Sequence, residues 1–147
     1  MSEATPTEMT GGCVCGAVRW TLTEPPLGAA YCHCKRCQRR TGSSSSLNAL
    51  TAPGSLEVTA GEELVVTWRP EDGWPKSFCG ECGSALFGQH PKRPEVFIVR
   101  LGSFDEDPGV KIHYRQFTAS AAPWEPIPDD GLPRFEGRAP APEPKQA

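Results

Sequence analysis

The residues whose types and spacing can do chemistry are seven cysteines in three tight groups. Cys13 and Cys15 form Cys-x-Cys. Cys32, Cys34 and Cys37 form Cys-x-Cys-x-x-Cys. Cys79 and Cys82 form Cys-x-x-Cys within Cys79-Gly80-Glu81-Cys82-Gly83. The odd count disfavours a pure disulfide framework, and the close spacing is that of thiolate metal knuckles. Burial as hydrophobes, or disulfide pairing, are the bland readings. Spacing and an expected reducing compartment argue against both.

Seven divides into a closed site of four and an open site of three. In an extended segment the side chains of Cys13 and Cys15 fall on one face, so both can meet one ion. Glycine after each cysteine of the last pair permits the tight turn a knuckle needs. Cys13, Cys15, Cys79 and Cys82 around zinc would form a saturated tetrahedral site that contributes folding energy and staples distant parts of the chain. Cys32, Cys34 and Cys37 would hold a second zinc with one coordination position left open. A soft thiolate suits that position, which makes these three cysteines the candidate catalytic centre, acting on a thiol. A rival partition builds a ribbon from Cys34, Cys37, Cys79 and Cys82 and leaves Cys13, Cys15 and Cys32 as a second set. A non-catalytic zinc-binding module and a thiol or redox sensor are the alternative functions, since a three-thiolate site oxidises readily once its metal leaves.

Around the triple stand Lys35, Arg36, Arg39 and Arg40. They would offset the charge of the thiolates, and Arg36, Arg39, Arg40 and Ser43 are the candidate substrate contacts. The bland reading of these residues is a solvated basic turn. The Ser43–Ser46 run has two readings, a polar pocket lining and a flexible loop. His33 is expected to point away from its cysteine neighbours and to act as a hydrogen-bonding residue rather than a ligand. His90 and His113 are read as ordinary histidines. Trp68, Trp74, Phe78, Phe87, Phe97 and Phe104 are read as core.

The elements that must position these groups are short. The chain has 147 residues, 37% of them hydrophobic, with 16 prolines and 15 glycines, a composition that favours short strands and turns over long helices. The expected fold is mainly β and zinc-stapled, with cysteine knuckles and little helix. Strands are expected over Ala17–Leu22, Glu63–Trp68, Ser84–Phe87, Val96–Leu101 and Lys111–Phe117. The helical candidate is Lys35–Arg40, closed by Gly42. A flexible leader over 1–10, one domain over 11–138 and a disordered Pro/Ala-rich tail over 139–147 complete the organisation. A net charge of −3 disfavours nucleic acid and anionic membrane as partners, and no apolar stretch is long enough to span a bilayer. A cytoplasmic location is expected, because its thiols stay reduced.

Three stretches together carry a resemblance: Gly11-Gly12-Cys13-Val14-Cys15-Gly16-Ala17-Val18, the run from Cys32 to Gly42, and Phe78-Cys79-Gly80-Glu81-Cys82-Gly83-Ser84. Pro123-Trp124 and Leu132-Pro133-Arg134-Phe135-Glu136-Gly137 extend it. The chain resembles the glutathione-dependent formaldehyde-activating enzyme family, also called the centromere-protein-V domain. The resemblance implies a tent-like β fold and two zinc ions. It assigns Cys13, Cys15, Cys79 and Cys82 to the structural ion, and Cys32, Cys34 and Cys37 to the catalytic one. It implies glutathione as co-substrate, formaldehyde or another small aldehyde as its partner, S-hydroxymethylglutathione as product, and a carbon–sulfur lyase.

Overall fold

The structure is a computed structural model and describes residues 8–140. In chain order its strands are β1 (Met9–Gly12), β2 (Arg19–Leu22), β3 (Gly28–Cys32), β4 (Ser46–Leu50), β5 (Leu56–Ala60), β6 (Val65–Trp68), β7 (Lys76–Cys79), β8 (Ala85–Gln89), β9 (Phe97–Arg100) and β10 (Ile112–Gln116). One α-helix, α1 (Lys35–Thr41), lies between β3 and β4. The mainly β expectation holds. No helix among the described residues is long and apolar enough to cross a membrane.

The strands form two sheets. The smaller has the order β1-β2-β5 and is antiparallel. The larger has the order β10-β3-β4-β9-β8-β7-β6 and is antiparallel except for the parallel pair β10–β3. Beside β10 runs the segment around Arg134. Arg115 N–H donates to the Pro133 carbonyl and Phe135 N–H to the Arg115 carbonyl, each at 2.9 Å.

β2 shows why these short segments become strands. Its residues alternate between half-buried Arg19 and Thr21 and fully buried Trp20 and Leu22. Trp20 meets Phe104 edge-on, with ring centroids 4.9 Å apart. With Val18, Leu86, Val99 and Cys79 these side chains form the core, where each buried leucine or valine contributes roughly 1.5–3 kcal/mol by leaving water. Gly11 is required where β1 crosses this core. A Cβ there would lie 2.3 Å from the Ser103 carbonyl oxygen and 2.3 Å from the Trp20 ring. A cavity of about 280 Å³ opens on the core side of the larger sheet, lined by Leu56, Val58, Glu62, Val65, Phe87 and Phe97 among others.

The domain boundaries shift at both ends. Met9 and Thr10, read as leader, are the first residues of β1, because β2 supplies them with a pairing partner. Ala139, read as the start of the tail, is buried, and its N–H donates to Gln116 Oε1 at 3.0 Å. The remainder of both readings, 1–7 and 141–147, lies outside the described residues. Trp68 is a further correction. Read as core, it is 46% exposed, because it sits on the outer face of the edge strand β6.

Candidate metal centres

The first centre joins a loop to a strand end. Cys13 and Cys15 follow β1, and Cys79 closes β7 just before the Cys82 turn. The Cys15 sulfur lies 3.5 Å from that of Cys13 and 3.9 Å from that of Cys79, and all four sulfurs lie within 4.8 Å of one another. A tetrahedral ion with bonds of about 2.3 Å places its sulfurs about 3.8 Å apart, so the set fits one thiophilic ion. Backbone N–H groups already face the sulfurs: Val18 N–H donates to Cys13 at 3.2 Å and Glu81 N–H to Cys79 at 3.4 Å. The Ser84 hydroxyl sits 3.2 Å from Cys82 and, with its own backbone N–H, pulls that thiol down to about 6. The Ala17 backbone lowers Cys15, but the neighbouring thiols, Cys13 first, push it up to about 12. The metal-free cluster therefore holds a mixture of thiols and thiolates, and an ion entering it must displace protons.

The second centre sits at the turn from β3 into α1. Cys32 ends β3, Cys34 caps the helix by accepting from Cys37 N–H at 3.3 Å, and Cys37 lies in the first turn. Gly42 closes the helix in the left-handed conformation, φ 70°, where its N–H returns to the Gln38 carbonyl at 2.8 Å. The three sulfurs converge within 4.8 Å, and no fourth His, Cys, Asp or Glu among the described residues joins them. Cys37 is pulled down to about 5, chiefly by the Cys32 thiol, whose S–H donates to it; burial opposes this, and Ser46, Cys34 and Arg100 add to it. Cys32 is pushed up by the same hydrogen bond and by burial. Three soft donors at this spacing fit a thiophilic ion with one place free. The two clusters follow the four-plus-three partition; the rival ribbon has no counterpart in them.

The predicted neighbours of the triple separate. Arg36 turns to the loop before β7, donating to the Asp72 carbonyl at 2.9 Å and pairing with its carboxylate at 3.4 Å. Arg39 and Ser43 are exposed. Arg40 lies over the rings of Phe78 and Trp68, 5.8 and 6.0 Å from their centroids, and its Nε is buried without a hydrogen-bond partner. The serine run is no loose loop, since Ser44 and Ser46 are buried and Ser46 opens β4 directly opposite Cys32. His33 is buried, with Nε2 3.1 Å from Arg115 Nη1. An arginine cannot accept, so Nε2 does, and the ring is neutral with its proton on Nδ1 toward the Ser44 carbonyl. Burial and the Arg115 charge hold its pKa below the ordinary value. Arg115 is itself fixed by Asp130 at 2.7 Å and by the Tyr31 ring at 3.9 Å. This network binds the C-terminal segment to the strand that carries Cys32.

Sequence reasoning missed Lys76 and Arg100. No local motif marks them; only strand register reveals them. Asn48 pairs with Arg100, Gly88 with Ile98 and Lys76 with Gly88, so Lys76 and Arg100 share the sheet face that bears Cys32 and α1. Burial lowers both cations below their ordinary values, against the opposing pull of Cys37. The inter-sheet cavity lies on the other face of the same strands, away from the triple.

The family model for the glutathione-dependent formaldehyde-activating enzyme matches residues 8–120. The stretches Pro123-Trp124 and Leu132–Gly137 fall beyond that match. A Halomonas elongata protein named "Putative glutathione-dependent formaldehyde-activating enzyme" is 30% identical over 112 residues, covering 70% of this chain and 71% of that protein. A crystal structure of a Rhodobacter sphaeroides protein aligns with a TM-score of 0.56 and 25% identity, over 86% of this chain and 99% of that one. By the family-model match over most of its length and the likeness to the Halomonas protein, the chain belongs to the glutathione-dependent formaldehyde-activating enzyme family.

Proposed function

We propose that the protein is a zinc-dependent carbon–sulfur lyase that makes or breaks the bond between a small thiol and an aldehyde carbon, with glutathione and formaldehyde as the pair. The observation that carries this reading is the convergence of three cysteine sulfurs without a fourth protein donor. The family name and the Halomonas relative supply the choice of thiol and aldehyde.

When bound, zinc supplies an electrophilic centre that keeps a thiol ionised at neutral pH. The chain's own residues do the rest. The bond from Cys37 N–H to Cys34 holds one ligand in place, and Ser46 holds Cys37. Asn48 Nδ2 donates to Ser46 Oγ at 3.2 Å and so steadies that contact. Arg40, on the helix that starts at the triple, has its Nε unsatisfied, while Arg36, Arg39 and Ser43 are exposed and available to a substrate's charged groups. In the forward direction the thiolate sulfur bonds to the carbonyl carbon. The C=O π bond breaks, its electron pair stays on oxygen, and a proton from solvent completes the hydroxyl of S-hydroxymethylglutathione. Cys13, Cys15, Cys79 and Cys82 hold the second zinc and take no part in the reaction. A reducing compartment such as the cytoplasm keeps all seven thiols available.

The test is exchange NMR on glutathione mixed with formaldehyde. Zinc-loaded protein is expected to speed exchange between free and hydroxymethylated glutathione. Exchange no faster than the spontaneous reaction rejects the formaldehyde assignment.

A further inference from the structure

Three half-buried cations crowd the face of the larger sheet that carries the triple. Arg100 rises from β9, Lys76 from β7 and Arg40 from α1. Like charges gathered in a partly dry place repel one another, so such a cluster needs a reason. The ion pairs among the described residues are Arg19–Asp105, Arg36–Asp72, Arg93–Glu95 and Arg115–Asp130. None of the three cations has a carboxylate partner there. Lys76 Nζ donates to the Trp74 carbonyl at 3.0 Å, and Arg100 Nη1 to Asn48 Oδ1 at 3.2 Å. Both contacts are neutral, and both fix the side chain without cancelling its charge. Asn48 uses its other end on Ser46, which opposes Cys32, so the Arg100 fork is tied to the triple through two side chains.

Counting charge shows what is missing. Three thiolates and one divalent ion leave one negative charge. Arg40, Lys76 and Arg100 bring three positive ones, so the face carries a surplus of two. A small thiol with no carboxylate would bring only its thiolate charge and leave half of that surplus uncompensated. A glutathione thiolate has two carboxylates, one ammonium and one thiolate sulfur, a net of two negative charges, which cancels it.

We propose that Lys76 and Arg100 form the carboxylate-binding floor of the thiol site and make it select an anionic, carboxylate-bearing thiol over a neutral one. This rests on the open-site reading above and adds the residues that choose the thiol. Arg100 offers a planar fork suited to two carboxylate oxygens, and Lys76 offers a compact charge beside it.

The test is calorimetric binding to the full, zinc-loaded chain, with glutathione and glutathione diethyl ester as probes. The wild-type protein is expected to bind glutathione about ten- to a hundredfold more tightly than the diester, the range of one charge-assisted contact. Arg100→Gln and Lys76→Met are each expected to weaken glutathione about tenfold and leave the diester unchanged, with two zinc ions retained. Equal wild-type affinity for the two probes overturns the proposal and needs no variant to fold. Equal weakening of both probes in the variants also overturns it, because the cations then act on the metal site alone. Wild-type protein that binds neither probe refutes the open-site reading itself, a different outcome from the other two.

Discussion

Replacing one ligand from each centre, Cys15→Ser and Cys34→Ser, should separate their roles in a single pair of measurements. Cys15 is exposed, so its truncation removes little packing and mainly weakens the crosslink. That crosslink joins residues 64 apart in sequence. Closing such a loop removes roughly 14 cal/mol/K of unfolded-chain entropy, about 4 kcal/mol at room temperature, by the relation used for disulfides. The triple spans only about five residues from Cys32 to Cys37, and the same relation gives about 2 kcal/mol. Cys34 also caps α1, but serine is itself a good cap, so Cys34→Ser keeps the helix start while losing a soft ligand. At about 2–4 °C per kcal/mol, Cys15→Ser should lower the melting temperature by roughly 8–16 °C after a chelator challenge, and Cys34→Ser by about half of that. The assay is zinc content by metal analysis beside thermal melts followed by circular dichroism. Each variant should fall from two ions to one. Cys34→Ser melting below Cys15→Ser, or either variant losing both ions at once, would refute the assignment of one centre to the fold and the other to chemistry.

Further outcomes follow from other parts of the molecule. Gly11→Ala forces a methyl group against the Ser103 carbonyl and the Trp20 ring, and should cost about 1–3 kcal/mol in a denaturant melt with the zinc content unchanged. Zinc added to metal-free protein at pH 7 should release a proton each from Cys15 and Cys32, read with an indicator dye in weak buffer; no release contradicts the protonation described for the clusters. Asp130 is held below its ordinary value of 3.8 by Arg115 and by the Leu132 N–H. A depressed carboxylate stabilises the fold above the unfolded value, and that stability fades as pH falls through the folded one. The stability lost in Asp130→Asn should therefore be constant at neutral pH and shrink as pH drops below 3.8, measured as the difference between wild-type and variant denaturant melts.

The grouping of the seven cysteines into a set of four and a set of three was legible because close spacing survives folding. The strands with clear local patterns were legible too. Val65–Trp68, Phe97–Arg100 and Ile112–Gln116 fall inside the stretches expected, and α1 differs from its expected span by a single residue. β3 and β4 were not legible. Gly28-Ala29-Ala30 and Ser46 carry little β propensity, and they are strands because they lie in the middle of a sheet with partners on both sides. Ser46 shows the consequence for the site. Read within a polar run, it gave no sign of facing Cys32, whereas Ser43, the serine singled out, is exposed. Lys76 and Arg100 were hidden for the same reason, since a lone cation at a strand end gains meaning only from its neighbours across the sheet.

The two centres are joined by one short strand. β7 begins at Lys76, which faces the triple, and ends at Cys79, which belongs to the closed cluster. Its intervening residues alternate as a strand requires: Ser77 is buried on the core side, and Phe78 lies under Arg40 on the outer side. A strand of four residues has little freedom once one end is held by metal and both edges are paired, here with β6 and β8. Metal in the closed centre would thereby fix where Lys76 and Phe78 stand, and Phe78 packs against Arg40. On this geometry an ion held by the closed cluster would do more than stabilise the fold: it would set the position of one of the cations proposed to meet the substrate. Loss of that ion should therefore reduce the preference for a carboxylate-bearing thiol even while the three-cysteine centre keeps its own zinc. Comparing glutathione with its diester on Cys15→Ser reads that effect. An unchanged preference would show that β7 is positioned by its sheet neighbours alone.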